Sequence, residues 1–106
     1  VVRDCAKGTC AYYQYMDGTS MAAPHATGVA ALLISRFGKP GLTLSPATVE
    51  KLLYKSAVPK ACPAPRAYVY EVYGEEDTHT CEGGTSRNGF YGRGIVNALN
   101  ATTVKR

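Results

Sequence analysis

Residues 17–37 read DGTSMAAPHATGVAALLISRF and form the longest stretch of small and apolar residues in the chain. From Ser20 to Phe37 small or apolar side chains occupy nearly every side of a helix, which predicts a helix that is buried almost all round. Pro24 is compatible with the first turn of that helix, where the backbone amide needs no partner. Gly38 ends the helix. The sequence therefore predicts a buried helix at the centre of the fold.

Shorter elements are predicted on both sides of this helix. Residues 11–16 (AYYQYM) are rich in β-forming side chains and predict a short strand. After the helix, Ser45 can cap a second helix whose first residue is Pro46. That second helix has one apolar stripe, formed by Val49, Leu52, Leu53 and Ala57.

The last third of the chain is rich in loops. Alternation over Ala67–Tyr73 predicts one strand of an exposed hairpin. The polar, glycine-rich residues from Glu75 to Asn88 predict a surface loop. Residues from Ile95 to Ala101 predict a last short helix.

Length and composition exclude several classes of protein. The chain has 106 residues, enough for one modest domain. Its composition, with 45% hydrophobic and 19% charged residues, argues against a disordered tail. The longest apolar run, Val29 to Ile34, is far shorter than the roughly 20 residues that span a bilayer. The net charge is +4, but Lys and Arg are scattered and form no basic stripe. We expect neither a membrane nor a nucleic acid as partner.

The four cysteines, Cys5, Cys10, Cys62 and Cys81, allow three disulfide pairings. Their neighbours favour Cys5 with Cys10, around a Lys-Gly turn, and Cys62 with Cys81, around a tyrosine-rich stretch. Closing the second loop stabilises the fold by roughly 3 kcal/mol in the loop-entropy treatment. No Cys-x-x-Cys pair occurs, and His79 is the only histidine beside a cysteine, so we expect no metal and no cofactor. Paired disulfides indicate a secreted protein.

Ser20 is the residue best placed for chemistry. A strand delivers it to the start of a helix, where several backbone N–H groups have no internal partner and can stabilise an oxyanion. Gly18 allows another chain to approach closely. The alternative is that Ser20 or Thr19 is an ordinary helix N-cap, which the residues alone favour.

The segment from Gly18 to Leu33 resembles the nucleophile segment of the subtilisin-like serine proteases, the subtilases. Residues 91–98 (YGRGIVNA) resemble the closing Gly-x-Gly-x-x-Asn-Ala segment of the same family. The resemblance implies an α/β fold: the C-terminal segment of a three-layer α/β/α domain, with residues 1–106 as a partial catalytic domain. Residues 60–88 are expected to be a disulfide-bracketed, β-rich inserted loop, similar to those of secreted bacterial subtilases.

The resemblance also implies roles for individual residues. Ser20 matches the nucleophile that forms an acyl-enzyme, and its backbone N–H matches an oxyanion-hole donor. Gly18, Thr19 and Met21 match the flanking motif, with Met21 expected beneath the site. His25 matches a structural position and not the general base. Of the other candidates, Asp17 is expected to be a turn residue and His79 a solvated histidine with no neighbour that orients its ring.

The family order of the triad is Asp, then His, then Ser. We therefore expect the acid, the base and the oxyanion-hole asparagine in an upstream part of the same domain, which would be the partner of this chain. Protein or peptide substrates are implied, and the chain alone is expected to be inactive. The alternative is a non-catalytic, disulfide-stapled binding domain whose contact surface is Tyr68, Tyr70 and Tyr73. A pseudo-protease is disfavoured because Ser20 and its flanks are intact.

Overall fold

The computed structural model describes residues 1–72 and 74–106. Within these residues the chain forms two antiparallel hairpins and three helices. In chain order the elements are β1 (Val2–Ala6), β2 (Thr9–Tyr13), α1 (Thr19–Phe37), α2 (Pro46–Ser56), β3 (Ala67–Val72), β4 (Glu75–Thr80) and α3 (Ala98–Thr103). Helices and strands of an α/β protein are thus present, but the strands form separate small antiparallel sheets.

The first hairpin pairs β1 with β2. A Lys-Gly pair at residues 7–8 turns the chain, and both residues have positive φ, 51° and 79°. Cys5 lies directly opposite Cys10, and the two form a disulfide. The predicted bounds of 11–16 for this strand were wrong, because β2 runs from Thr9 to Tyr13. Its bounds are set by pairing with β1, a strand that the sequence analysis did not identify.

The second hairpin pairs β3 with β4, with Tyr68 opposite His79 and Tyr70 opposite Asp77. The predicted hairpin strand is confirmed from Ala67 to Val72, and Tyr73 lies outside the described residues. The prediction of loop at residues 75–80 was wrong, since they form β4. This strand is exposed on all of its residues, so backbone pairing is compatible with its charged side chains.

The disulfide between Cys62 and Cys81 confirms the second favoured pairing and closes the base of the β3–β4 hairpin. Arg66 reinforces this base: its guanidinium donates to the carbonyl oxygens of Cys81 (3.1 Å) and Gly83 (2.9 Å). The backbone N–H of Cys81 donates in turn to the carbonyl of Arg66 (2.9 Å). These contacts therefore anchor the β3–β4 hairpin at its base, and the two strands extend from there.

Asn88 organises the loop that follows the second hairpin. Its side-chain amide is buried and donates to the carbonyl oxygens of Lys60 (2.7 Å) and Gly84 (3.0 Å). Its side-chain oxygen accepts from the backbone N–H groups of Phe90 (3.2 Å) and Tyr91 (2.9 Å). One polar side chain thus satisfies four backbone groups, which explains why it is tolerated in a buried position.

The three helices meet in a small core. Helix α1 packs on α2 and α3, and the buried residues are Val29, Leu33, Leu52 and Ala101. The sequence predicts that a helix as apolar as α1 needs cover on most of its sides and that this chain alone cannot supply it, and the exposed side of α1 confirms this. Of its residues only Val29 and Leu33 are buried, because α2 and α3 cover a single side. Leu32 and Ile34 remain 40% and 44% exposed.

The start of α1 also differs from the expectation. The helix begins at Thr19, so Pro24 lies inside it, in the second turn and not the first. Proline has no backbone N–H and cannot donate to the carbonyl oxygen four residues earlier, which is that of Ser20. The first turn is instead held by the carbonyl of Gly18, which accepts from Met21 (3.0 Å) and Ala22 (3.1 Å).

Helix α2 confirms its predicted start. The Ser45 hydroxyl oxygen accepts from the backbone N–H of Thr48 (3.2 Å), and Pro46 is the first helical residue. Leu52 is buried on its predicted stripe. Ala57, placed on that stripe, lies at the C-cap just beyond the helix.

Helix α3 begins at Ala98 and not at the predicted Ile95. Ile95 is held in an extended bridge to Val58 by two backbone hydrogen bonds of 2.8 and 2.9 Å, so it cannot adopt helical geometry. The side chain of Asn97 then caps α3 by accepting from the N–H of Asn100 (2.8 Å).

The described residues form an open shape. The radius of gyration is 17.9 Å, against about 13 Å for a compact domain of this length. Neither hairpin packs on a helix, and much of α1 faces outward. None of the described helices is long and apolar enough to cross a membrane.

We expect the 106-residue chain on its own to self-associate, because the outer side of α1 is an apolar surface that none of the described residues covers. Analytical ultracentrifugation across a range of concentrations measures this. A single monomeric boundary together with a cooperative thermal transition would contradict the expectation.

Candidate functional site

Ser20 lies at the second residue of α1 and is exposed. The N-cap is Gly18, and no side chain caps the helix. Neither Thr19 nor Ser20 is therefore the N-cap that the residues alone favoured. The φ of Gly18 is 149°, a conformation that other residues rarely adopt, which explains a glycine at this position.

Two donors remain free beside the Ser20 hydroxyl. Across residues 1–72 and 74–106, neither the N–H of Thr19 nor that of Ser20 has a hydrogen-bond acceptor. Both belong to the first turn of a 19-residue helix, whose N-terminus has partial positive charge. A negatively charged oxygen bound next to Ser20 would accept hydrogen bonds from these two N–H groups.

His25 does not approach Ser20. It follows Ser20 by five residues, which corresponds to about 7.5 Å along the helix axis and about 140° around it. Its Nδ1 lies 2.6 Å from the carbonyl oxygen of Met21, so the ring is held against its own helix. With an Nδ1–H donor, this contact fixes one tautomer of the ring.

A shallow apolar groove lies along α1, and the first residue that lines it, Pro24, follows Ser20 by four residues. It has a volume of about 430 Å³. The half-buried Met21 precedes it in the same helix. The residues that line the groove are Pro24, His25, Gly28, Val29, Leu32 and Ala98. Ala98 belongs to the second motif, so the structure brings the two subtilase-like motifs together at this groove.

Two glycines of the second motif adopt backbone conformations that favour glycine over other residues. Gly92 and Gly94 have positive φ, 55° and 128°. A Cβ at Gly94 would collide with the carbonyl of Val58, which bonds to Ile95. Asn97 supplies the cap of α3. The glycines and the asparagine thus position α3 against α1, a role for Asn97 that the sequence analysis did not identify.

A cation–π contact joins α2 to the second motif, residues 91–98. The guanidinium of Arg93 lies 4.7 Å from the ring centroid of Tyr54. The Tyr54 hydroxyl donates to Glu50 at 2.5 Å. This hydrogen bond, with the charge of Glu50, holds the pKa of Tyr54 above its ordinary value.

The second histidine, His79, lies on the exposed strand β4. Its Nε2 is 3.1 Å from a carboxylate oxygen of Asp77. The prediction that no neighbour orients this ring was wrong, because residues two apart in a strand lie on the same face. Asp17, the third candidate, lies outside any helix or strand, directly before Gly18. Among the described residues, no group of three or more His, Cys, Asp or Glu is arranged to hold a metal ion.

Comparisons with known proteins agree with the resemblance to the subtilases. The subtilase family, peptidase S8, matches residues 6–94. The extracellular basic protease of Dichelobacter nodosus is 48% identical over 44 residues, which cover 42% of this chain and 7% of that protein. Subtilisin-like protease 5 of Arthroderma otae and that of Trichophyton tonsurans are each 71% identical over 28 residues, or 26% of this chain and 7% of the relative. The matched segments thus span a small part of these relatives, and no solved structure gives a significant match.

Gly94→Ala should destabilise the protein by about 1 to 3 kcal/mol, because alanine is strained at this φ and its Cβ meets a backbone carbonyl. Gly84→Ala is the matched control, since a Cβ there has open space. Denaturant unfolding of the natural protein with each substitution gives the two values. Equal stability of the two variants would contradict the role assigned to Gly94.

Proposed function

Because this chain belongs to the subtilase family, we propose that it is the nucleophile-bearing part of a serine endopeptidase. The observation that supports this best is the position of Ser20: an exposed hydroxyl beside two unpartnered N–H groups at the start of α1. The intact Gly-Thr-Ser-Met motif at residues 18–21 agrees with it. Protein or peptide chains are the substrates of this proposal.

The reaction is acyl transfer. The Ser20 oxygen attacks the peptide carbonyl carbon while a general base takes the hydroxyl proton. The oxyanion that forms is stabilised by the N–H of Ser20 and a second donor. The amine then leaves with the proton returned by the base, and water releases the acyl group from Ser20 by the same route in reverse order.

The general base and the acid come, in this proposal, from an upstream part of the same domain. Residues 1–19 contain no histidine, and His25 is hydrogen bonded to its own helix. The relatives are far longer than the matched segments, which supports a further part of the domain. Residues 1–106 would then be part of a three-layer α/β/α catalytic domain, with residues 60–88 as an inserted loop.

We place the protein outside the cell. Two disulfides, Cys5–Cys10 and Cys62–Cys81, support an oxidising compartment, and one relative is named an extracellular protease. The proposal includes no metal ion or cofactor, and no nucleic-acid or membrane partner.

A second candidate is a disulfide-stapled binding domain without catalysis. It is favoured by the exposure of Tyr68 (56%) and Tyr70 (52%) on an outward hairpin; the third tyrosine of that hypothesis, Tyr73, lies outside the described residues. This candidate requires a chain that folds alone as a soluble monomer. The exposed side of α1 favours the endopeptidase instead.

A fluorophosphonate probe tests the endopeptidase, because it reacts with a serine only when a base activates it. We expect no adduct on the 106-residue chain alone and one adduct at Ser20 when the upstream part is present. Ser20→Ala should abolish labelling, whereas His25→Ala should change the labelling rate by less than about tenfold, since the base lies elsewhere. Intact mass and peptide mapping give the result.

Labelling of the chain alone that requires His25 would contradict the proposed source of the base. Absence of labelling in the complete, folded domain would overturn the endopeptidase and favour the binding domain. The same spectra, taken before and after reduction, check that both disulfides are intact.

A further inference from the structure

The β3–β4 hairpin is an outward arm with a fixed base. Within the described residues, neither of its faces packs on a helix, and the side chains described along both strands are exposed. The Cys62–Cys81 disulfide and the Arg66 hydrogen bonds hold its base. Six residues per strand give it a length of about 20 Å. The disulfide and the Arg66 hydrogen bonds thus anchor the arm at its base, while its described side chains face solvent.

The two faces of the arm differ in chemistry. Cross-strand register and alternation put the tyrosines on the same face as two carboxylates and the histidine that one of them contacts. We name this the tyrosine face, and it consists of Tyr68, Tyr70, Glu75, Asp77 and His79. Among the described residues, the opposite face has two carboxylates and no aromatic ring: Ala67, Val69, Glu71, Glu76, Thr78 and Thr80.

Charge is segregated between the arm and the rest of the chain. Residues 67–80 contain four of the eight acidic residues and none of the twelve Lys and Arg residues. The arm is about twice as long as the Debye length of about 8 Å at physiological salt. Its carboxylates are therefore screened from the basic remainder, and the arm presents a local negative field on a positively charged chain.

We propose that the tyrosine face is a docking surface for a lysine- or arginine-rich segment of a protein substrate. The tyrosine rings fit the aliphatic stems and the cationic ends of such side chains. The carboxylates of Glu75 and Asp77 complement their charge. The substrate role rests on the proposed endopeptidase, whereas the binding itself does not require catalysis.

A second copy of this chain fits the face less well. Its Lys and Arg residues are scattered along the sequence and form no lysine- or arginine-rich segment of the kind proposed here. Several of them are already engaged with their own chain: Arg36, Lys60 and Arg93 lie over the rings of Phe37, Tyr91 and Tyr54. A flexible cationic segment of another protein can instead adapt to the face.

The binding test uses the complete catalytic domain with Ser20→Ala, so that no peptide is cleaved. Fluorescence anisotropy reports binding of a fluorescein-labelled peptide that alternates Lys and Gly, with an alternating Glu and Gly peptide as control. We expect Glu75→Gln/Asp77→Asn to weaken binding of the lysine peptide about fivefold, and Tyr68→Thr/Tyr70→Thr to weaken it by a similar factor. Higher salt should weaken it further.

The matched control is Glu71→Gln/Glu76→Gln, which removes two exposed carboxylates from the opposite face of the same arm. We expect it to weaken binding less than twofold. Equal losses from the two double variants would overturn the proposal, because only the total charge of the arm would then matter. Loss of a concentration-dependent dimer in the Glu75→Gln/Asp77→Asn variant, seen by sedimentation, would overturn it in favour of a second copy.

The substrate role has its own readout in the active domain. Two peptides with the same cleavage sequence are compared, one extended by a lysine-rich segment. We expect the extension to lower KM about fivefold with kcat unchanged, and Glu75→Gln/Asp77→Asn to remove this advantage while leaving the short peptide unaffected. Binding of the lysine peptide without cleavage of either substrate would support the proposed docking surface and overturn the proposed endopeptidase.

Discussion

The contact between α1 and its two partner helices is the constraint on which the rest of the structure depends. Leu33 is fully buried where α1 meets α2 and α3, with Val29, Leu52 and Ala101 around it. Through this contact α2 fixes the position of Val58, and the Val58–Ile95 bridge fixes the segment that leads into α3. The start of α1, where Ser20 lies, is thus positioned by a few apolar side chains and one two-stranded bridge.

The same contact leaves most of α1 uncovered, and this has a functional meaning. A helix with apolar residues on every side is stable in water only when other elements surround it. Here two short helices cover one side. An intact Gly-Thr-Ser-Met motif on a half-covered helix is consistent with the proposal that the base and the remaining cover come from another part of the domain.

Local signals in the sequence predicted local structure well. Ser45 and Pro46 predicted the start of α2, and the neighbours of the cysteines favoured both disulfides, because these features depend on residues close together in the chain. Features that depend on distant pairing were missed. Strand β1, the extended conformation of Ile95 and the four bonds of Asn88 all need partners that periodicity cannot reveal. For the candidate site, the motifs indicated Ser20, but the use of Gly18 as N-cap follows only from its backbone geometry.

Pro24 has a consequence for the dynamics of this region. Since it cannot donate to the carbonyl of Ser20, the hydrogen-bond ladder of α1 is interrupted between its first turn and the remainder. Local opening of residues 19–22 therefore breaks one backbone hydrogen bond fewer than it would in a helix without proline, which lowers the cost of rearranging the turn that holds Ser20.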